Sequence, residues 1–312
     1  MNDSPDSRPV LVTGGAGFIG SHLTAELVSR GYKVRVLDNL SQGNRDWVPP
    51  EVEFIHADIV DQAACRRACE GVRGVFHMAA MSKVGPSIEN IEFCTEQNVV
   101  GTQNVLVAAR DAKVSKVVYS ASSTYYGNQK APQQEDAKPE CLNPYALSKF
   151  VGEQYCELFT RLYGLPTICL RYFNVYGPRQ PGVGAYALVL GAFLRQRKEG
   201  KALTIHGDGS QRRDFVHVRD VVRANILALE SEAKGVVLNV GSGTNHSVKE
   251  LADMISTEQT FGPRRAGDAE VTLASTERAF ATLGFRTSVR IEDGVAELLR
   301  EQGTPSAGSP AA

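Results

Sequence analysis

At 312 residues the chain has room for one large domain or two smaller ones, each with a sizeable core. Thirty-four basic against 35 acidic side chains give a formal net charge of −1, and 42% of residues are hydrophobic against 22% charged. This balance excludes a global attraction to nucleic acid or anionic membrane, though a local basic pocket stays open, and no apolar run reaches the length of a membrane span. Six cysteines, at 65, 69, 94, 141, 156 and 169, form no CxxC pair and no cluster at zinc spacing. Reduced thiols, no metal and a cytoplasmic setting are therefore expected. The polar start MNDSPDSRP lacks a signal-peptide core, so the sequons at Asn39 and Asn245 are expected to be idle.

In chain order, VLVTG (10–14) is a short apolar run ending in glycine. FIGSHLTAELVSRG (18–31) follows, with Phe18, Ile19, Leu23, Leu27 and Val28 at helical spacing and a stop at Gly31. VRVLD (34–38), EFIHAD (53–58) and GVFHMAA (74–80) read as further strands, with a helical stretch over 61–69 between the last two. A long helix runs through 98–110, then a strand at 116–122, a helix over 145–163 and a strand at 167–173. Alternation of this kind, with apolar strands, predicts an α/β fold: a Rossmann-type doubly wound parallel sheet buried on both faces. Beyond about residue 172, loops rich in Gly, Pro and Arg separate shorter elements, which suggests a smaller C-terminal α+β substrate lobe over 172–312. Residues 1–171 form the sheet domain, with a segment near 214–245 returning to it. The tail after about 302 is Gly/Ser/Pro/Ala-rich and expected to be disordered.

The turn TGGAGFIGSH (13–22) places Gly14, Gly17 and Gly20 between the first strand and first helix. Glycines there allow a tight turn and close approach of backbone to a pyrophosphate, whose charge the helix N-terminus favours. Asp38 ends the second strand, where a carboxylate accepts hydrogen bonds from the adenosine ribose hydroxyls and repels a 2′-phosphate. NAD is therefore expected over NADP, with Arg45 nearby as the one contrary sign. Asp58, after the third strand, is a candidate for the adenine edge, with loop capping as its alternative. Ala79 and Ala80 after the fourth strand are small enough to let the cofactor pass, although small residues also pack helices.

Tyr145 and Lys149 stand one helical turn apart behind Asn143-Pro144. Leu147, Phe150, Val151, Leu158, Phe159 and Leu162 read as the buried stripe of that helix. Because the fifth strand ends at Ser122 on the ligand side of the sheet, a serine, a tyrosine and a lysine converge there. Proton removal coupled to hydride transfer needs this set. A free tyrosine is a poor base at neutral pH, and an ammonium together with a positive nicotinamide ring is expected to lower its pKa. Lys149 would also hold the nicotinamide ribose, and Ser122 the substrate oxygen. An isolated YxxxK is more often an ordinary surface pair; the glycine turn upstream changes that balance.

Taken together, TGGAGFIGSHL, HMAA, NVVGTQNVL, YxxxK, RYFNVYGPRQ, RRDFVHVRD, NVGSG and PRRAGD resemble the extended short-chain dehydrogenase/reductase superfamily. The likeness is to its NAD-dependent nucleotide-sugar epimerase/dehydratase family, nearest the UDP-hexose 4-epimerases, and runs from about Pro9 to Leu299. The resemblance implies that Phe18, Ile19, Asn39, Ile59 and Asn98 contact the cofactor and that Tyr172 lies by the nicotinamide. It implies a substrate site with Asn174 by the sugar-nucleotide phosphates, Arg213 and Arg265 on the diphosphate, and Asp268 near the ribose. Pairing of Arg213 with Asp214 or Asp220 is the alternative. Dehydratases of the family carry an Asp-Glu pair, and decarboxylases a glutamate, where this chain has Ser123 and Thr124. C4 epimerisation of a UDP-hexose is the activity that remains, with a uronate epimerase, a decarboxylase, a dehydratase or a silent NAD-binding scaffold as alternatives. Thr272 stands at the family's sugar-pocket gate, small enough to admit an N-acetyl group. A lysine found after the fourth strand in some relatives aligns with Ser82, and Lys83 sits one position later. The family also implies a homodimer that pairs the helices over 91–110 and 145–163.

Overall fold

The computed structural model describes residues 7–182, 188–263 and 269–303. Arg265, Asp268 and the tail beyond 303 lie outside the described residues. The elements of the sheet half are β1 (Val10–Thr13), α1 (Phe18–Ser29), β2 (Val34–Asp38), β3 (Glu53–His56), α2 (Gln62–Cys69), β4 (Gly74–His77), α3 (Val84–Glu89) and α4 (Ile91–Thr95). A π-helical turn over Glu96–Val100 leads into α5 (Gly101–Asp111), β5 (Lys116–Ser122), α6 (Pro144–Tyr163) and β6 (Thr167–Tyr172). There follow β7 (Asn174–Tyr176), α7 (Val189–Lys198), β8 (Leu203–His206), β9 (Arg212–Arg213), β10 (Phe215–His217), α8 (Val218–Glu230) and β11 (Val236–Val240). The chain continues through β12 (His246–Ser247), α9 (Val248–Asp253), β13 (Gln259–Gly262), α10 (Glu277–Leu283) and α11 (Ile291–Gly303).

Seven parallel strands form the main sheet in the order β11-β6-β5-β4-β1-β2-β3. The order reverses on either side of β1, and such a switch point opens a crevice beyond the strands' carboxyl ends. Helices α1 and α8 cover one face and α2, α5 and α6 the other. Strands β1, β4, β5 and β6 are buried throughout, which accounts for their unbroken apolar reading. The edge strand β3 departs from that pattern, because one side of it has no neighbour and Glu53 and His56 face solvent.

In the C-terminal half, β7 pairs with β10 and β8 with β13, both parallel, while β9 and β12 run antiparallel. Tyr176, Phe193, Leu203, Phe215 and Leu251 anchor a separate core there. The fully buried Asp214 accepts from Ser242 N and Oγ, Gly243 N and Ala274 N, and so joins three loops at one carboxylate.

Helix α6 differs from its sequence reading. Its buried side consists of Ala146, Ser148, Lys149, Gly152, Glu153, Cys156 and Phe159, whereas Leu147 and Leu162 are exposed. Small and polar residues face the sheet because the helix lies close to β5. A Cβ on Gly152 would stand 2.2 Å from the Tyr119 hydroxyl. One turn beyond Lys149, Glu153 forms a two-pronged buried pair with Arg171 of β6, at 2.6 and 2.9 Å. The Arg171 guanidinium also donates to Tyr126 Oη and Glu135 O and lies over the Tyr125 ring. Asn239 of β11 accepts from Tyr126 Oη, and its backbone N–H donates to Glu135, so α6, β6 and β11 share one polar network.

Candidate active site

A cleft of about 470 Å³ opens at the carboxyl ends of β1, β2, β4, β5 and β6. The glycine turn forms its floor. Gly14 has φ +71°, and a Cβ there would meet Ala79 N at 2.8 Å; a Cβ on Gly20 would stand 2.0 Å from Gly14 O. Only glycine lets the turn and the loop after β4 touch in this way. Gly17 caps α1 without a side-chain hydrogen bond, so the first-turn N–H groups are left to the cleft, as a diphosphate requires.

At one end of the cleft, Asp38 accepts from Ala16 N and Leu40 N and keeps lone pairs for a ligand. Asp58 accepts from the amides of Asn39 and Gln97 and from Val60 N, a loop-capping role at a residue that also lines the cleft. Arg45 does not oppose the choice of NAD. Its guanidinium lies 4.6 Å over the Phe54 ring and donates to Val48 O, away from the cleft lining.

At the other end, Ser122, Tyr145 and Lys149 come together as expected from their spacing, with Ser123, Thr124, Tyr172 and Asn174 around them. Asn143 caps α6 by accepting from Ala146 N, and Pro144 occupies its first turn. Ser87 Oγ accepts from Tyr145 N, which ties α3 to the start of α6. The Lys149 ammonium donates to Ser120 O at 2.8 Å and lies 5.0 Å over the Tyr119 ring. Ser122 and Thr124 hydroxyls hydrogen-bond at 2.8 Å, and Tyr172 donates to Asn225 while contacting Ser120.

Burial raises the Tyr145 phenol above its ordinary pKa, although hydrogen bonding with Ser122 pulls the other way. Burial lowers Lys149 itself to about 8. The expected lowering of the phenol rests on the ammonium together with the positive nicotinamide ring, and so belongs to the cofactor-bound protein.

Gly14, Gly17, Phe18, Ile19, Gly20, Asp38, Asn39, Asp58, Ile59, Ala79 and Ala80 all line the cleft. Asn98 does not. Its side chain accepts from Met81 N and donates to Met81 O and Ser148 Oγ, so it fixes the loop after β4, and the neighbouring Gln97 reaches the cleft instead. Arg213 is also absent from the lining. It donates to Arg212 O and Glu270 O, and Asp214 and Asp220 are engaged elsewhere. The Thr272 hydroxyl accepts from Asp214 N and Asn174 Nδ2, one residue back from the lining. Ser120 was missed, although its place two residues before Ser122 on β5 puts it at the same rim. The lining also includes Ser41, Gln42 and Gly43, a polar glycine-containing run just after Asp38.

The switch-point crevice, the glycine turn and the Ser–Tyr–Lys set together define a dinucleotide-dependent enzyme fold. The model of the NAD dependent epimerase/dehydratase family matches residues 10–241, and the chain belongs to that family. A UDP-glucose 4-epimerase of Mycolicibacterium smegmatis is 37% identical over 301 residues, 92% of this chain and 96% of the relative. A UDP-N-acetyl-alpha-D-glucosaminuronate decarboxylase of Bacillus cytotoxicus is also 37% identical, over 78% of each chain. The crystal structure of a Thermotoga maritima UDP-glucose 4-epimerase with UDP-glucose superimposes with a TM-score of 0.91 at 34% identity, covering 95% of this chain and all of that one.

Proposed function

We propose that the protein epimerises a UDP-hexose at C4 with NAD, through a 4-keto sugar. The sheet residues 1–171, with the return near 214–245, would hold the dinucleotide, and the segment from 172 onward would close over the sugar nucleotide. Bound NAD would supply an acceptor for the C4 hydride, its donor back to the opposite face of C4, and a positive ring beside the phenol. The α1 N-terminus would hold its diphosphate and Asp38 its adenosine ribose. Tyr145 takes the C4 hydroxyl proton, Ser122 holds the oxygen as it becomes a carbonyl, and Lys149 steadies the phenolate's surroundings from Ser120 O. The 4-keto sugar turns its other face while its diphosphate tether stays bound, and Tyr145 then returns the proton.

One observation carries the choice of reaction. The only carboxylates among the described lining residues are Asp38 and Asp58, both at the adenosine end. Beside Ser122 stand Ser123 and Thr124, which supply no acid or base to expel water at neutral pH. With UDP-glucose, UDP-galactose, UDP-GlcNAc and UDP-GalNAc, NMR of the products should show C4 inversion alone. Loss of water from these sugars, or of carbon dioxide from a UDP-hexuronate, would overturn the reading. Tyr145→Phe should keep NAD bound and lose turnover.

The exposed Ile88, Ile91, Val100, Leu147, Leu162 and Tyr163 lie on α3, α4, the π-helical turn and α6. This apolar area supports a homodimer that buries these helices against a second copy. Among the described residues, no helix is long and apolar enough to cross a membrane.

A further inference from the structure

Lys149 carries its charge at a point where no described carboxylate pairs with it. The residue is 5% exposed, and Glu153, one turn further along α6, spends both carboxylate oxygens on Arg171. Ser120 O accepts from one of the three ammonium donors. The other contact on the sheet side is the Tyr119 ring, whose centroid lies 5.0 Å from Nζ. A ring face is electronegative, and an ammonium withdrawn from water gains more from it than an exposed one does.

Tyr119 is itself fixed. It is 1% exposed on β5, with the His77 ring packed at 5.6 Å between centres. Gly152 leaves room for its hydroxyl, which donates to Lys149 O at 3.4 Å. One side chain thus touches both the main chain and the ammonium of Lys149. The titratable groups around that ammonium are His77 on β4, Cys94 on α4, Tyr119 on β5, and Tyr145, Glu153 and Cys156 on α6. His77 stays neutral above about pH 3, and the charge of Glu153 is matched by Arg171. Burial lowers Lys149 to about 8, near enough to neutrality for a modest change in its surroundings to alter its charge.

Resting on the proposed reaction for what Lys149 does, the geometry points to Tyr119 as a positioning residue whose ring face seats the Lys149 ammonium and keeps it charged. Tyr119 is absent from the cleft lining, touches no reacting atom, and acts through the lysine.

The test replaces Tyr119 in the full chain by phenylalanine and by its mono-, di- and trifluorinated analogues. Fluorine drains the ring face of negative charge and changes the shape of the ring little. With isotope-labelled lysine, and Lys149 assigned by its absence in Lys149→Met, the titration of the ammonium is followed by NMR without any turnover. The midpoint should stay near the wild-type value in Tyr119→Phe, which keeps the ring. It should then fall stepwise as fluorines are added, by about one pH unit across the series. The alkaline limb of kcat for UDP-glucose should move down with it. A midpoint that does not change with fluorination would overturn the proposal, because a residue that only fills space is indifferent to the charge on its ring. The titration is read on the protein whatever it turns over, so its outcome is separate from the product assay that decides the reaction.

Discussion

Gly152→Ala adds one methyl group where α6 crosses β5. The new Cβ would stand 2.2 Å from the Tyr119 hydroxyl and 2.7 Å from Cζ of the same ring. Ordinary carbon contacts begin at about 3.5 Å, so roughly 1.3 Å of separation is missing. Tyr119 cannot supply it by swinging away, since it is 1% exposed and packed against His77 at 5.6 Å between ring centres. The helix must lift, and Tyr145 and Lys149 lift with it. A misplacement of this size costs about 10²-fold in turnover. Alanine favours the helical state over glycine by roughly 0.5–1 kcal/mol, so α6 itself stays helical. We expect kcat for UDP-glucose to fall by about two orders of magnitude while NAD, held by the glycine turn, remains bound. Adding Tyr119→Phe removes the closest contact and should recover part of the loss. A Gly152→Ala enzyme with wild-type kcat would refute this account of how the pair is positioned.

Other outcomes follow from the same geometry. Glu153→Ala leaves the buried Arg171 guanidinium without its carboxylate and should cost about 3–5 kcal/mol in urea unfolding, whereas Glu153→Met with Arg171→Met should recover most of it; a single-variant loss below about 1 kcal/mol contradicts the assignment. His77, buried between Thr13 and Thr102, is held to about 3 by burial and secondarily by the charge of Lys149. Below pH 6.5 the unfolded chain takes up a proton that the folded protein refuses until about pH 3, so this residue makes stability fall as pH drops through that window. Urea midpoints at pH 7 and pH 5 should converge in His77→Gln relative to wild type. Thr272→Tyr should reduce turnover of UDP-GlcNAc and spare UDP-glucose, and equal losses on both would remove the gate. Leu147→Glu should convert a dimer to monomers in sedimentation, and an unchanged mass would exclude the helix pairing.

The glycine turn and the sheet were legible because their causes are local. Gly20 answers to the backbone of Gly14 six residues earlier, Gly14 to its own positive φ in the turn, and β-branched runs such as Val34–Asp38 carry their own burial pattern. The α6 stripe was not legible, because whether Leu147 faces core or solvent depends on what packs there, and periodicity alone does not say which face that is. Gln97 lines the cleft while Asn98 is engaged with Met81 and Ser148, a division of labour inside the π-helical turn over Glu96–Val100 that periodicity does not show. The Tyr145 phenol rises for a similar reason. Spacing reveals the neighbouring lysine, and only the assembled cleft reveals the loss of water around the ring.

The seventh strand, β11, has a practical consequence for anyone dividing the molecule. It seals the flank of β6 from a point more than sixty residues downstream, so a fragment stopped after residue 171 would present a bare row of β6 amides and carbonyls to its neighbours. Such a fragment would also forfeit Asn239, and with it the anchorage of Tyr126 and Glu135. The halves are interleaved along the chain, and neither should be obtainable as a well-behaved soluble piece by cutting once between them.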